Sequence, residues 1–437
     1  MNWREDYRSK QTTAEEAVKV VKSGDNVMLG GAGSAPPDLA NALCARYKEL
    51  ENVNLWTGIT MYPFDYLKGE LKGHINYGSI FFGPLERMFH GQGNIDNLSY
   101  HFSHADRAVL ESARCNVMLI EVSEPDHRGY MSLGPCGIYI GAIMCAQAET
   151  VVAQVNRNVP YIYGRDNVIH VSDVDWIVLG DHPLPELPPI PITDRERRIG
   201  QMIAERVPDG ACIQIGLGGV ANAVGHFLFD KKDLGVHSEM ITDSMVELAQ
   251  AGVINNSRKT FHHGKMLIGG LCVGSTALYE FVDRNPMVEF APIYYVNNPH
   301  NIAKNERFVS INNALTVDLT GQVASESIGF QTYSGTGGQL DFVRGAGMAP
   351  KGQSFLALPA GTIKSDGTIL SRIVSAFKPG TAVTTPRADV MYVVTEYGIA
   401  ELWHKTTRDR VRAMIAIAHP EAREQLEREA FEAGLLH

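Results

Sequence analysis

Residues 193–221 read TDRERRIGQMIAERVPDGACIQIGLGGVA, and their order decides the fold. Thr193-Asp194-Arg195-Glu196 has the spacing of a capping box, in which a Thr hydroxyl and a Glu carboxylate satisfy orphan N–H groups at a helix start. Ile199, Met202 and Ile203 follow at helical spacing, and Gly210 is a natural stop. Ala211–Ile215 is a short apolar run of the kind a buried strand needs. It enters Gly216-Leu217-Gly218-Gly219, and a new helix begins near Val220. Strands alternating with helices predict an α/β fold with a parallel sheet.

The same order opens the chain. Residues 13–34 read TAEEAVKVVKSGDNVMLGGAGS. Thr13-Ala14-Glu15-Glu16 is a first capping box, Ala17, Val18 and Val21 share a face, and Gly24 closes the helix. Asn26–Leu29 is the strand and Gly30-Gly31-Ala32-Gly33-Ser34 the loop; Pro36 and Pro37 start a helix expected over Asp38–Leu50. Gly24 and Gly30 correspond to Gly210 and Gly216, a constant offset of 186 residues. This predicts a duplication: two related α/β domains with largely parallel sheets and one active site at their interface. Between Pro183 and Pro191 stand five prolines in nine residues, which excludes helix and central strand and predicts an extended linker. The expected domains are therefore 1–182 and 193–437, joined by 183–192.

Further strands are expected at Val53–Thr60, Asn116–Val122 and Thr150–Val155 in the first half. The second half offers Leu234–His237, Met266–Leu271, Ile293–Val296, Phe308–Ile311, Phe355–Leu358 and Val390–Val394. Helices are expected from Asp243 to Ala251 and through the Ala-, Arg- and Glu-rich tail from Thr407 to Leu436.

Composition bounds the partners. The chain has 437 residues, 44% hydrophobic and 20% charged, which is ordinary for a globular protein and excludes wholesale disorder. The net charge of −10 argues against nucleic acid or an anionic membrane as the main partner. Six cysteines without a CxxC pair fit a reducing compartment. A polar start and no long apolar run make a cytoplasmic protein the expectation. His101, His104, His262 and His263 lack a companion ligand set at familiar spacing, so no metal is expected. G-x-S-x-G and Walker A sequences are absent, and Asp126-His127-Arg128-Gly129 reads as a turn.

Three segments could carry chemistry. Gly216-Leu217-Gly218-Gly219-Val220-Ala221 fits G-x-G-x-x-[G/A] between a strand and a helix, where bare backbone and a helix N-terminus suit a phosphate. Such a loop also serves plain packing. In Tyr333–Ala346, four glycines in fourteen residues suggest close backbone approach to a ligand, with Gln339 and Asp341 the inward polar groups. In Glu239-Met240-Ile241-Thr242-Asp243, Glu239 stands between a strand end and a helix start. From spacing alone it could hold a ribose, as a dinucleotide fingerprint requires, or do something else.

Taken jointly, Ser238-Glu239-Met240, Gly337–Ala346, Tyr295-Val296-Asn297-Asn298-Pro299 and Thr395-Glu396-Tyr397-Gly398-Ile399-Ala400-Glu401 resemble the acetyl-CoA hydrolase/transferase family. The resemblance runs from the first helix to the last, and within the family it is strongest to CoA-transferases of the 4-hydroxybutyrate and butyryl-CoA:acetate type. Gly30–Ser34 and Met61–Tyr66 depart from the family pattern. The resemblance implies a transferase that moves CoA between a short-chain acyl-CoA and a carboxylic acid. An acyl-CoA hydrolase on the same scaffold is the alternative. It implies Glu239 as nucleophile and CoA along Gln214, Ile215, Gly216, Leu217, Gly218, Gly219, Val220, Gly337, Gly338 and Gln339. Gly31 and Asn297 are candidates for substrate or oxyanion contacts. CoA is then a substrate, with no tightly bound cofactor, and a homo-oligomer is expected, a dimer or tetramer.

The chemistry fits a carboxylate. Exchange of CoA between acids must conserve a thioester's energy, which a serine ester would lose. A carboxylate instead forms an anhydride that CoA thiolate can open to a glutamyl thioester. Each tetrahedral intermediate needs preorganised N–H donors, which glycine-rich loops can supply.

Overall fold

The computed structural model describes residues 2–112, 114–137, 141–187, 191–216, 218–363 and 366–437. The strands that matter here are β1 (Asn26–Leu29), β2 (Val53–Thr57), β3 (Ile75–Ser79), β4 (Ile95–Asn97), β5 (Val117–Val122), β6 (Thr150–Asn156) and β7 (Trp176–Gly180). They form one seven-stranded sheet in the order β4-β3-β2-β1-β5-β6-β7. Every pairing in it is parallel.

The second half repeats that plan with β8 (Cys212–Ile215), β9 (Gly235–Ile241), β10 (Met266–Cys272), β11 (Val288–Phe290), β12 (Phe308–Asn313), β13 (Gln353–Ala357), β14 (Tyr392–Thr395) and β15 (Gly398–Glu401). Their order is β11-β10-β9-β8-β12-β13-β14-β15. It matches the first sheet strand for strand and adds one edge strand, β15, which pairs antiparallel with β14. The Gly24/Gly210 correspondence is therefore structural: both glycines have positive φ, +84° and +73°, where a side chain would be strained.

By compactness the chain divides into two units. The first is Met1–Pro188 with Glu239–Asp243 and Leu267–Val296; the second is Pro189–Ser238 with Ser244–Met266 and Asn297–His437. The break falls inside the proline stretch, but two later segments group with the first unit. Pro188, Pro189 and Ile190 lie outside the described residues. The preceding residues are held: Tyr279 Oη donates to the Pro185 carbonyl at 2.6 Å, and Thr276 Oγ1 to Glu186 at 2.9 Å.

Local chemistry explains where the elements depart from the sequence reading. Thr13 Oγ1 accepts from Glu16 N, but Glu16 turns to pair with Lys19, and the helix Ala14–Ala17 passes into a 3-10 turn at Val18–Val20. Thr193 and Glu196 form both halves of their box, and that helix runs over Asp194–Arg206. Ile293–Val296, expected as a strand, is a short helix, because the N–H groups of Tyr295 and Val296 both return to the Pro292 carbonyl. The helix expected over Asp38–Leu50 ends at Ala45. The tail forms two helices, Thr407–Ile417 and Pro420–Glu432. No helix among the described residues is long and apolar enough to cross a membrane.

Candidate active site

In the first unit the site is built around the end of β9. Every residue of that strand is buried except Glu239, which is half-exposed. A strand buried on both faces has no reason to carry a carboxylate unless the carboxylate is used. Its neighbour Met240 packs with Ala32 and Cys136, and Ile59, Met61 and Val273 lie against that cluster. A Cβ on Gly269 would stand 3.1 Å from the Glu239 carbonyl oxygen and 3.2 Å from its Cα, so only glycine leaves the Glu239 backbone its place. Asp243, at the start of the next helix, accepts from Ser275 Oγ at 2.5 Å, which ties the segment after Glu239 to the helix Thr276–Val282.

Three loops reach Met240, and each is pinned from behind. Ser34 is fully buried; its Oγ donates to the Leu133 carbonyl at 3.0 Å and accepts from Cys136 N at 2.9 Å. Gly31 lies in the same unit, and a Cβ there would sit 3.0 Å from the Gly58 carbonyl. The loop after β2 is held by the buried Glu86. Its Oε1 accepts from Thr60 N and Tyr77 Oη, both at 2.8 Å, and its Oε2 from Gly83 N at 2.8 Å. Ile59 has φ +53°, an outlier for a β-branched residue, and such strain persists only where the surroundings fix it.

The second unit holds the glycine loops. Gln214 and Ile215, expected to meet CoA, are buried in β8. Ile215 can offer only its backbone. Gln214 accepts from Ser310 Oγ at 2.7 Å and donates to Asn312 Oδ1 at 3.0 Å, so it orients Asn312 near the end of β12. Gly218 has φ +119° and caps the helix Gly219–His226; a Cβ on it would lie 2.4 Å from Asn313 Nδ2. A Cβ on Gly219 would lie 1.8 Å from Glu196 Oε1. Packing therefore accounts for part of this loop's glycine. Val220 is buried in the helix, and Leu217 lies outside the described residues.

Gly337 and Gly338 precede the helix Gln339–Met348, with φ +63° at Gly337. Gln339 donates to Thr385 Oγ1 at 3.0 Å. Gly345 and Gly347 belong to this helix and face Ile302 and Trp403, so these two glycines serve helix packing and not a ligand. Asp341 and Asn297 are buried. Sequence reading missed Glu326, beside this tract. Burial raises its carboxyl pKa, while hydrogen bonds to Thr384 and Thr336 pull it back down. It also missed Asn312, Glu86 and Ile59.

Comparison with known proteins decides the family. Residues 1–188 match the acetyl-CoA hydrolase/transferase N-terminal domain, and residues 274–430 the C-terminal domain. The chain belongs to the acetyl-CoA hydrolase/transferase family. Among members of this family, it is 43% identical over 427 residues to the 4-hydroxybutyrate coenzyme A transferase of Clostridium kluyveri, covering 98% of each chain. It is 37% identical over 444 residues to the butyryl-CoA:acetate CoA-transferase of Anaerostipes caccae, covering 100% of this chain and 99% of that one. The crystal structure of 4-hydroxybutyrate CoA-transferase from Porphyromonas gingivalis superposes with a TM-score of 0.80 at 35% identity, covering 99% of this chain and all of that one. The family's acetyl-CoA hydrolases are more distant: that of Yarrowia lipolytica is 29% identical over 229 residues, 51% of this chain and 41% of its own. Among the described residues no group of three or more His, Cys, Asp or Glu is placed to hold a metal ion.

Proposed function

We propose that this protein transfers CoA between short-chain acyl-CoA and a free carboxylate, with Glu239 as the covalent nucleophile. The observation that carries the reading is Glu239 itself, the one half-exposed residue in an otherwise buried strand. The family's CoA-transferases match the chain end to end, whereas its hydrolases match less of it at lower identity.

In this reading the Glu239 carboxylate attacks the thioester carbonyl, and collapse of the adduct expels CoA thiolate and leaves a mixed anhydride. The thiolate then attacks the glutamyl carbonyl, releases the first acid and forms a glutamyl-CoA thioester. An incoming carboxylate attacks that thioester and the steps reverse, so no step consumes water. The Gly216–Val220 and Gly337–Gln339 loops hold CoA through backbone N–H groups. Remote contacts of that kind can drive orientation at the reacting carbon. Ile59, Met61, Met240 and Cys136 give an apolar wall that suits a short, uncharged acyl chain. A cytoplasmic homo-oligomer working on freely exchanging acyl-CoA belongs to the same proposal.

A paired assay tests transferase against hydrolase. With acetyl-CoA alone, free thiol should appear slowly. Adding butyrate, propionate or 4-hydroxybutyrate should give the matching acyl-CoA far faster than thiol, because water is kept from the intermediate. Dominant thiol release with every acid would move the reading to the hydrolase.

A further inference from the structure

Tyr100 follows β4 at the carboxyl-terminal edge of the first sheet, the edge where open α/β sheets hold ligands. Its ring lies 5.9 Å from Phe102 and packs on a cluster of Ile80, Phe102, Ala105 and Ile293. Gly269 lies between that cluster and the Glu239 backbone. Ile293 Cδ1 stands 2.7 Å from where a Cβ on Gly269 would be, the same point that lies 3.1 Å from the Glu239 carbonyl oxygen. Tyr100 Oη is buried and, among the described residues, has no hydrogen-bond partner. Burial and then the Glu239 charge push its pKa up, so it stays a proton donor.

A buried phenol without a partner demands an explanation, because phenylalanine would fill the same space without desolvating a hydroxyl. The packing around the ring asks only for an aromatic face. What remains for the hydroxyl is a partner that arrives with the substrate.

We propose that Tyr100 is a catalytic hydrogen-bond donor, its Oη–H aimed at the oxygen that turns anionic when nucleophile or thiolate adds to the carbonyl carbon at Glu239. No proton is transferred: the bond strengthens as charge grows on that oxygen and relaxes when the adduct collapses. It rests on Glu239 being the nucleophile. A donor placed this way stabilises the transition state more than bound substrate, so its loss shows in kcat.

The test is Tyr100→Phe, followed by turnover, thermal melting and peptide mass analysis after incubation with acetyl-CoA. The expected result is a kcat lower by roughly a hundredfold, the loss typical of one oxyanion donor, with KM for acyl-CoA little changed. The melting temperature should equal or exceed the parent's, since the hydroxyl satisfies nothing in the resting protein. Replacing Tyr100 with 3-fluorotyrosine, which keeps the shape and alters the acidity, should change kcat without changing the melt. A parent-like kcat in Tyr100→Phe, with the Glu239 adduct present, overturns the proposal. So does a lower melting temperature with a fluorotyrosine enzyme of unchanged rate, which would make the hydroxyl structural. If the parent enzyme itself forms no adduct at Glu239, the nucleophile assignment falls, and the Tyr100 proposal falls with it.

Discussion

Replacing Glu86 should damage the site from behind without touching substrate. Its carboxylate accepts from Thr60 N, Tyr77 Oη and Gly83 N, and the residue is fully buried. Glu86→Ala leaves all three donors without that acceptor. A stranded buried donor costs about 1–3 kcal/mol, and water entering the space left by the side chain offsets part of this, so the loss should be about 3–5 kcal/mol. At about 2–4 °C per kcal/mol for a domain of roughly 200 residues, the melting temperature should fall by about 6–20 °C. Glu86→Gln keeps one oxygen but sets an amide N–H against a backbone N–H, so it should cost about 1–3 kcal/mol. Both variants free the loop that carries Ile59 and Met61 against Met240. Misplacing a positioning element by about an ångström lowers rates about a hundredfold, so kcat/KM for a short acyl-CoA should fall by roughly ten- to a hundredfold, Ala more than Gln. Circular dichroism melts and a CoA-ester chromatography assay on the same preparations read both quantities. An Ala variant with the parent's melting temperature and the parent's kcat/KM would refute the reasoning.

Three other outcomes follow from the geometry. Gly219→Ala puts a methyl group 1.8 Å from Glu196 Oε1, which must leave its box with Thr193; urea unfolding should show a loss of about 1–2 kcal/mol, the scale of a lost N-cap, and an unchanged midpoint would contradict it. Gly218→Ala should be destabilising as well, because φ is +119° and Asn313 Nδ2 would be 2.4 Å from the new Cβ; a stable variant that merely binds CoA poorly would show the loop to be more yielding. His182 Nε2 lies 2.9 Å from Glu121 Oε2, and pairing with that carboxylate raises the His182 pKa above the ordinary 6.5. The raised folded pKa means its stabilising effect is complete below 6.5 and is lost as pH rises through the raised value. The melting-temperature gap between parent and His182→Gln should thus be widest near pH 6 and shrink toward pH 9, and a gap independent of pH would contradict the pairing.

The duplicated plan was legible because local chemistry writes it twice. Thr193, Glu196 and Gly210 have conformational roles that do not depend on distant residues, and the strand orders of the two sheets repeat as the glycine offset implies. Glu239 was legible as a candidate by resemblance, but its place was not: the strand expected over Leu234–His237 runs over Gly235–Ile241 and holds Glu239 within it. Ile293–Val296 was misread because four apolar, β-rich residues fit either period, and Pro292 decides for helix. The glycines of Tyr333–Ala346 were read as one feature, whereas Gly345 answers to Ile302. Tyr100 and Glu86 were invisible for a plain reason. The role proposed for Tyr100 depends on Glu239, far away in sequence, and Glu86 draws Thr60, Tyr77 and Gly83 together from three separate places before it.

The central claim is that Glu239 forms a covalent bond with CoA. The direct measurement is to incubate the protein with an acyl-CoA, quench in acid and follow intact mass and then peptide mass. The account predicts one CoA joined through a thioester to the peptide containing Glu239, absent in Glu239→Ala, which should also be inactive. An adduct on any other carboxylate, or full activity in Glu239→Ala, would contradict it.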